Sequence, residues 1–435
     1  MALGGGTYLT QNKKLPGAYI NFISAASANA ALSERGIATM PLELDWGIDG
    51  DVFEVTNGDF QRNSLKIFGY DYTHEKLKGL RDLFLNTQTL YAYKLTSGGR
   101  KAGNDLAEAL YTGVRGNDLK ITVQVNADDE ELFDVLTVLD TAVVDEQTVA
   151  KAADLRANDF VKFKTSATLA ATTAMPLSGG ENGTVDGTAY QTYLDKIESY
   201  TYNTMGVVVT DDTTKELFAS FVRRLRDEMG IKFQLVLYNK AADYYGTISV
   251  KNKVLNDGWS EAALVYWVTG VCAGCEVNKS SQNRIYNGEF IVDVNYTQNE
   301  LKKAIEAGQF TLHKVGSDIR VLEDINTMVT GSDTQSDIFK DNQTVRVTDQ
   351  IANDIAVLFN TKYLGVVPND AAGRISLWSD IVKHHEQLQE IRAIENFSDS
   401  DVSVDQGSTK KSVVVSDAVT VVNAMSRLYM TVTVA

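Results

Sequence analysis

Cys272 and Cys275, the two cysteines of the 435-residue chain, are the residues best spaced for chemistry: they form a C-x-x-C pair within "VTGVCAGCEVNKSSQNRIYNG" (268–288). Such a pair serves a thiol oxidoreductase when it opens a helix after a strand, because the helix dipole then lowers one thiol pKa. Here it closes an apolar segment, Ala262–Cys275, that itself reads as helix, so both thiols meet the unfavourable end of the dipole. A structural zinc needs four ligands, and no second C-x-x-C or nearby histidine supplies them. The four histidines, His74, His313, His384 and His385, are scattered. His384 and His385 adjoin on a helical pattern, point in different directions and read as solvated helix surface. The C-x-x-C pair therefore reads as small apolar filler in a tightly packed helix.

The other constellations fail similarly. No G-x-x-x-x-G-K-[ST], no G-x-G-x-x-G after a strand and no G-x-S-x-G elbow occurs. "GVRGN" (113–117) lacks the lysine and the helix start of a phosphate loop and reads as a plain turn. Asp211-Asp212 and Asp128-Asp129 stand where helices should begin, so capping of free N–H groups explains them better than a divalent cation. Nothing assembles a nucleophile, a base and an orienter. The expectation is a protein that is not an enzyme and takes no cofactor and no catalytic metal.

The composition, 44% apolar and 23% charged, is that of a folded protein long enough for two to four domains. Acidic residues exceed basic ones by 57 to 41, a net charge of −16, which repels phosphate backbones and anionic membranes. No direct nucleic-acid binding is expected, and self-association has to work through apolar or hydrogen-bonded contacts. The first residues lack the pattern of a signal peptide, and the longest apolar run, 262–275, is too short to span a bilayer. Two cysteines make no disulfide framework, so the expectation is a reduced, cytoplasmic product without membrane insertion.

The elements that must position these residues follow from hydrophobic period and turn signals. To about Tyr93 the chain reads as mostly β, with one helix over His74–Asn86. From Tyr91 to about Tyr190 short alternating segments predict a β-rich module, ending in a Gly-rich surface loop at 170–187. "MGVVVT" (205–210), a helix from Asp211 to Gly230 and "IKFQLVLYN" (231–239) make a βαβ unit with parallel pairing. Further strands are expected at 288–296 and beyond 309, two helices over 344–365 and 372–394, and strands over 412–422 and 426–435.

The fold class is thus α+β to α/β and multidomain: a central mixed α/β sheet domain, a β-rich N-terminal region, a β-rich insertion (an outer insertion by the family resemblance given below) and a C-terminal helical-plus-strand part. The boundaries fall at 1–25 (N-terminal arm), 26–95, 96–190 (insertion), 191–335 (α/β core), 336–425 and 426–435 (C-terminal arm). Both ends are strand-like: Tyr19, Ile20, Phe22 and Ile23 at one, and Leu428, Met430, Val432 and Val434 at period two at the other. Each can pair within its own domain or add to a neighbour's sheet, and the residues alone leave both readings open. Arms would make heterologous contacts, which propagate into rings or filaments.

Several stretches together resemble one family. "YWVTGVCAGCEVNKSSQNRIYNG", "YTGVRGNDLKITV", "TVRVTDQIANDIAVLFNTKYLGVVPNDAAGR", "LPGAYINFIS" and "RGIATMPLELDWG" are similar to segments of contractile phage tail sheath proteins. The likeness is to sheaths of Gram-positive phages, defective prophages and phage-tail-like bacteriocins. It runs collinearly from about Pro16 onward, and the order of the stretches is more specific than any one of them. The resemblance implies subunits stacked in rings, commonly sixfold, around a tail tube. It also implies partners in the tube, baseplate and terminator proteins, and strand exchange through the terminal arms. Assembly would take place in the bacterial cytoplasm, and release would be as part of a virion or bacteriocin. The alternatives are another self-assembling tubular or surface-layer subunit, or a thiol- or nucleotide-dependent α/β enzyme.

Overall fold

The computed structural model describes residues 32–333 and 335–434. Tyr19, Ile20, Phe22 and Ile23 lie outside them. The first strand, β1 (Ile37–Leu42), is an apolar run buried along nearly its whole length, which suits only an interior position in a sheet. Next come β2 (Val52–Thr56), α1 (Asn57–Phe68), α2 (Lys78–Phe84) and β3 (Thr89–Lys94). The helix expected over His74–Asn86 is therefore α2 with a short 3₁₀ turn before it, at Glu75–Leu77.

The chain then builds a separate β module. One sheet contains β4 (Lys101–Gly103), β5 (Ala107–Thr112) and β9 (Val161–Phe163). The other contains β6 (Leu119–Val125), β7 (Phe133–Leu139), β8 (Ala142–Val149) and β10 (Thr172–Pro176), in the order β10-β6-β7-β8. Inward residues of both, such as Ala107, Ile121, Val135 and Val161, share one core. Two expectations change here. The Gly-rich stretch at 170–187 contributes β10, an edge strand, and is not all surface loop. Asp128 and Asp129 start no helix; they sit in the β6–β7 turn, where the Asn126 side chain accepts from both backbone N–H groups. "GVRGN" forms a 3₁₀ turn at Val114–Asp118 whose Arg115, buried, pairs with Asp140 and donates to the carbonyl of Gly69.

After α3 (Gly187–Ile197) the expected βαβ unit appears: β11 (Thr204–Gly206), α4 (Asp212–Arg223) and β12 (Gln234–Tyr238), with β11 and β12 parallel. The Asp211 carboxylate caps α4 through the Thr214 N–H, as its position predicts. Gly230 takes the positive φ of +77° just beyond the helical turn that follows α4. β13 (Thr247–Val250), α5 (Leu264–Gly274), α6 (Gln298–Glu306) and β14 (Gln309–Phe310) complete a seven-stranded sheet, ordered β14-β13-β12-β11-β1-β3-β2. All its pairings are parallel except β2 with β3. Alternate residues of β12 enter two cores. Val236 and Tyr238 meet α2 and α5, while Leu235 and Leu237 meet α3 and α4, so helices cover both faces.

Residues 26–95, expected as a β-rich domain of their own, thus supply β1–β3 and two helices to the central sheet. The strand expected at 288–296 has no ladder; it carries an isolated bridge, Val254 to Val292. A hairpin of β15 (Leu312–Val315) and β16 (Asp318–Val321) follows.

Residues 34–349 and 423–434 group as one compact unit, and residues 32–33 with Gln350–Val422 as another. The division falls within α7 (Asn342–Leu358). The second unit packs residues of α7 beyond 350 with α8 (Ala371–Glu390) around Leu358, Tyr363, Leu377 and Ile381. Its strands are β17 (Ile394–Glu395), β18 (Val402–Gln406), β19 (Val413–Asp417) and β20 (Thr420–Val421). The run expected as one strand over 412–422 splits: β19 pairs with β18, and β20 with β17. The break comes at Asp417, whose carboxylate faces His385, and at Ala418, whose N–H donates to Asp401.

Candidate assembly segment and the buried centre

Beyond β20 the chain is held only as far as residue 427. Asn423 Nδ2 donates to Thr344 Oγ1 at 3.1 Å, and Ala424 N to Gln343 Oε1 at 2.9 Å. Ser426 Oγ accepts from Gln282 Nε2 at 2.9 Å, and Arg427 pairs with Glu323 at 3.0 Å. From there the side chains are bare: Leu428 is 86% exposed, Met430 74%, Val432 68% and Val434 89%. The period-two segment expected as a strand has no ladder among the described residues. Single exposed apolar residues are commonplace, but four in an alternating row, with Tyr429 at 89% beside them, form a patch that water covers poorly.

The C-x-x-C pair is the opposite environment. α5 is buried on all sides, Cys272 is 0% and Cys275 3% exposed, and both thiols are free. The reason is the small-residue stripe. A Cβ at Gly270 would strike the carbonyl oxygen of Leu83, and one at Gly274 that of Asn86, so α5 lies directly against the end of α2. Burial pushes the Cys272 thiol well up and raises that of Cys275, away from the thiolate that nucleophilic or metal chemistry needs. The last carbonyls of α5 are taken instead by Arg35, whose Nε donates to Cys275 O at 2.8 Å and Nη2 to Cys272 O at 3.2 Å.

Around this helix end lies a polar network that sequence reasoning missed. Arg346, 1% exposed, pairs with Asp324, which also accepts from Asn342 Nδ2 at 3.0 Å and the Ser281 N–H at 2.9 Å. Burial alone would raise the Asp324 pKa, but Arg346 and these donors outweigh it and hold it below the usual carboxylate range. Arg226, fully buried, makes a two-pronged pair with Asp349 at 2.7 Å on each side. These charges are matched and committed to one another, which is a structural arrangement. The one available signal was Arg346 standing between Val345 and Val347 at the start of an amphipathic helix.

His384 and His385 correct the expectation of a solvated surface: they are 1% and 0% exposed. α8 is enclosed on both sides to which adjacent residues point, and each ring meets its own carboxylate, Asp354 and Asp417. His74 caps the 3₁₀ turn before α2, and His313 lies on β15. Among the described residues no group of three or more His, Cys, Asp or Glu could hold a metal ion, and no helix is long and apolar enough to cross a membrane.

The place where an α/β enzyme would bind its ligand is the crevice beyond the strand ends, where the sheet order reverses. Here that crevice is a cavity of about 500 Å³ beyond β1, β3 and β11. Asp45, at its mouth, is occupied by neighbouring groups. Asp45 accepts from Tyr70 Oη at 2.8 Å, Asn182 Nδ2 at 2.9 Å and Lys76 Nζ. No nucleophile, base and orienter converge there.

A doubly covered sheet with a separate β module, buried ion pairs and an exposed alternating segment make a scaffold without an assembled catalytic site. The chain matches, in order, models of the tail sheath protein Gp18 domain III N-terminal region (35–95) and the phage tail sheath protein beta-sandwich domain (88–182). The phage tail sheath protein central domain (183–327) and the phage tail sheath C-terminal domain (334–435) follow. It is 31% identical to the phage-like element PBSX protein XkdK of Bacillus subtilis over 471 residues, covering 99% of this chain and 100% of the relative. The crystal structure of the sheath tail protein from Desulfitobacterium hafniense is 35% identical with a TM-score of 0.81, covering 95% of this chain and 99% of that one. The contracted helical sheath of the anti-feeding prophage shares the fold at 12% identity, with a TM-score of 0.57 over 97% of this chain and 99% of that one. The chain belongs to the phage tail sheath family. It is a structural subunit of a contractile tail sheath and not an enzyme.

Proposed function

We propose that the subunit polymerises as a helical homo-oligomer of stacked six-membered rings around a tail tube, and that residues 428–434 add as a strand to a neighbouring copy. The observation that supports this is the exposed row Leu428, Met430, Val432 and Val434. Burying four such side chains contributes about 6–12 kcal/mol at about 1.5–3 kcal/mol each. Ordering seven residues costs about 7–14 kcal/mol at about 1–2 kcal/mol per residue. These nearly cancel, so main-chain hydrogen bonds to a sheet edge decide the balance. Such an arm holds within a lattice that presents the edge and stays free on a lone subunit. Residues Tyr19, Ile20, Phe22 and Ile23 make the second arm in this reading.

Contraction then follows from a metastable extended lattice relaxing to a tighter one, with a small difference in contact energy per copy summed over many copies. The tail tube fills the rings, and the baseplate and terminator proteins meet the two ends of the sheath. The subunits assemble in the host cytoplasm. Deleting Arg427–Ala435 is expected to leave a folded monomer that forms no sheaths by negative-stain microscopy. Normal contractile tubes from that variant would contradict the arm.

A further inference from the structure

The crevice beyond β1, β3 and β11 holds no catalytic set, yet several of its groups are unmatched. Its volume of about 500 Å³ is that of a small-ligand pocket. Glu43 follows β1, Tyr190 comes from α3, Tyr266 from α5 and Trp259 from the loop before α5, and all four line the cavity. Tyr190 is 8% exposed, and its hydroxyl makes no hydrogen bond among the described residues. The same holds for the Tyr266 hydroxyl and the Glu43 carboxylate. A buried hydroxyl without a partner costs free energy until something in the cavity bonds to it.

Burial pushes the Tyr190 hydroxyl up to about 12, with the Glu43 and Asp211 carboxylates adding to it, and burial followed by Glu43 raises Tyr266. Both rings therefore keep their protons near neutral pH and stand close to one carboxylate. The aromatic wall is held in place from behind. Trp259 Nε1 donates to Glu75 Oε1 at 3.1 Å, and its ring meets that of Tyr266 edge-on at 6.4 Å. A Cβ on Gly79 would strike the Tyr266 ring, so α2 lies directly against it.

Charge selects the ligand. Glu43, Asp45, Glu75 and Asp257 line the crevice, and Lys76 is the single basic residue among its lining. Lys76 is committed to Asp45, and Glu75 to Lys78 at 2.6 Å. Glu43 and Asp257 have no ion pair among the described residues. An anion is repelled here, whereas a cation meets free carboxylates, phenol oxygens and aromatic rings. Leu95 and Val207, 3% and 1% exposed just past β3 and β11, add an apolar wall for an aliphatic stem. We propose that the crevice binds a primary alkylammonium group, which donates to Glu43 and Tyr190 and lays its stem along the apolar wall. A free diamine and a lysine side chain of a second copy share this chemistry. The site needs no lattice; the second source alone rests on the assembly reading above.

Calorimetric titration of the lone subunit with cadaverine tests the site, with pentanediol as the uncharged control of equal length. Saturable heat is expected with the diamine and none with the diol. The Trp259 indole N–H resonance, assigned through Trp259→Phe, is expected to shift as the diamine binds. Glu43→Gln, at an exposed side chain, is expected to weaken binding about tenfold or more, and Tyr190→Phe about threefold, with Tm unchanged in both. No saturable binding, an equal response to the diol, or wild-type affinity in both variants overturns the site. Sheath formation by Glu43→Gln then names the source. Normal sheaths mean a free amine, and folded subunits that form none mean a lysine of the adjoining copy. Binding is read on the lone subunit, so a failure of the lattice reading leaves this result standing.

Discussion

Val265, Trp267, Val268 and Val271 on α5 are each 0% exposed, whereas Leu428, Met430, Val432 and Val434 are between 68% and 89% exposed. Both stretches are apolar and both lie in the same compact unit. α5 finds its partners within the chain, since Gly270 and Gly274 let the backbone of α2 come close. The segment 428–434 is tethered by polar contacts up to Arg427 and then finds no further hydrogen bond among the described residues. The contrast separates two uses of hydrophobic surface. One stabilises the subunit, and the other, in the function proposed above, is left to a second copy.

Breaking the buried side should unfold the monomer. Asp324→Ala strips Arg346 of its counter-charge and is expected to cost about 3–5 kcal/mol in chemical denaturation. The wild-type pair carries a pH signature with a definite sign. Because the Asp324 pKa is depressed, its stabilisation is present above the unfolded carboxylate value of about 3.9 and is lost as the pH falls towards the folded one. Gly274→Ala places a methyl against the Asn86 carbonyl and is expected to cost about 1–3 kcal/mol, read as a lowered Tm. Cys272→Ala removes one buried sulfur and is expected to cost about 1 kcal/mol. In the wild type neither thiol should react with an aromatic disulfide reagent until the protein unfolds; a fast-reacting thiol on native protein would reopen the redox case. On the exposed side, Leu428→Asp with Val432→Asp is expected to change monomer stability by less than about 0.5 kcal/mol while abolishing sheath formation in sedimentation. A large loss of monomer stability would mean that the segment packs on its own subunit.

How legible this was in the sequence differs from place to place for physical reasons. The βαβ unit around α4 could be read because Asp211, an apolar stripe and Gly230 all act locally. The α5 stripe could be read because small residues at a helix end mean close approach. The membership of β1–β3 in the central sheet could not, since β1 pairs with β11 across about 165 residues and no local signal encodes that pairing. Nor could the burial of His384 and His385, because their carboxylates come from Asp354 and Asp417, 30 and 32 residues away. Polar residues look solvated in sequence until their distant partners are known.

The most direct test of the account compares amide exchange across 428–434 in the lone subunit and in assembled sheath. The account predicts near-random exchange in the subunit and, in the sheath, about hundredfold protection at alternate amides, the signature of pairing along one edge of a strand. Equal exchange in both states would contradict it.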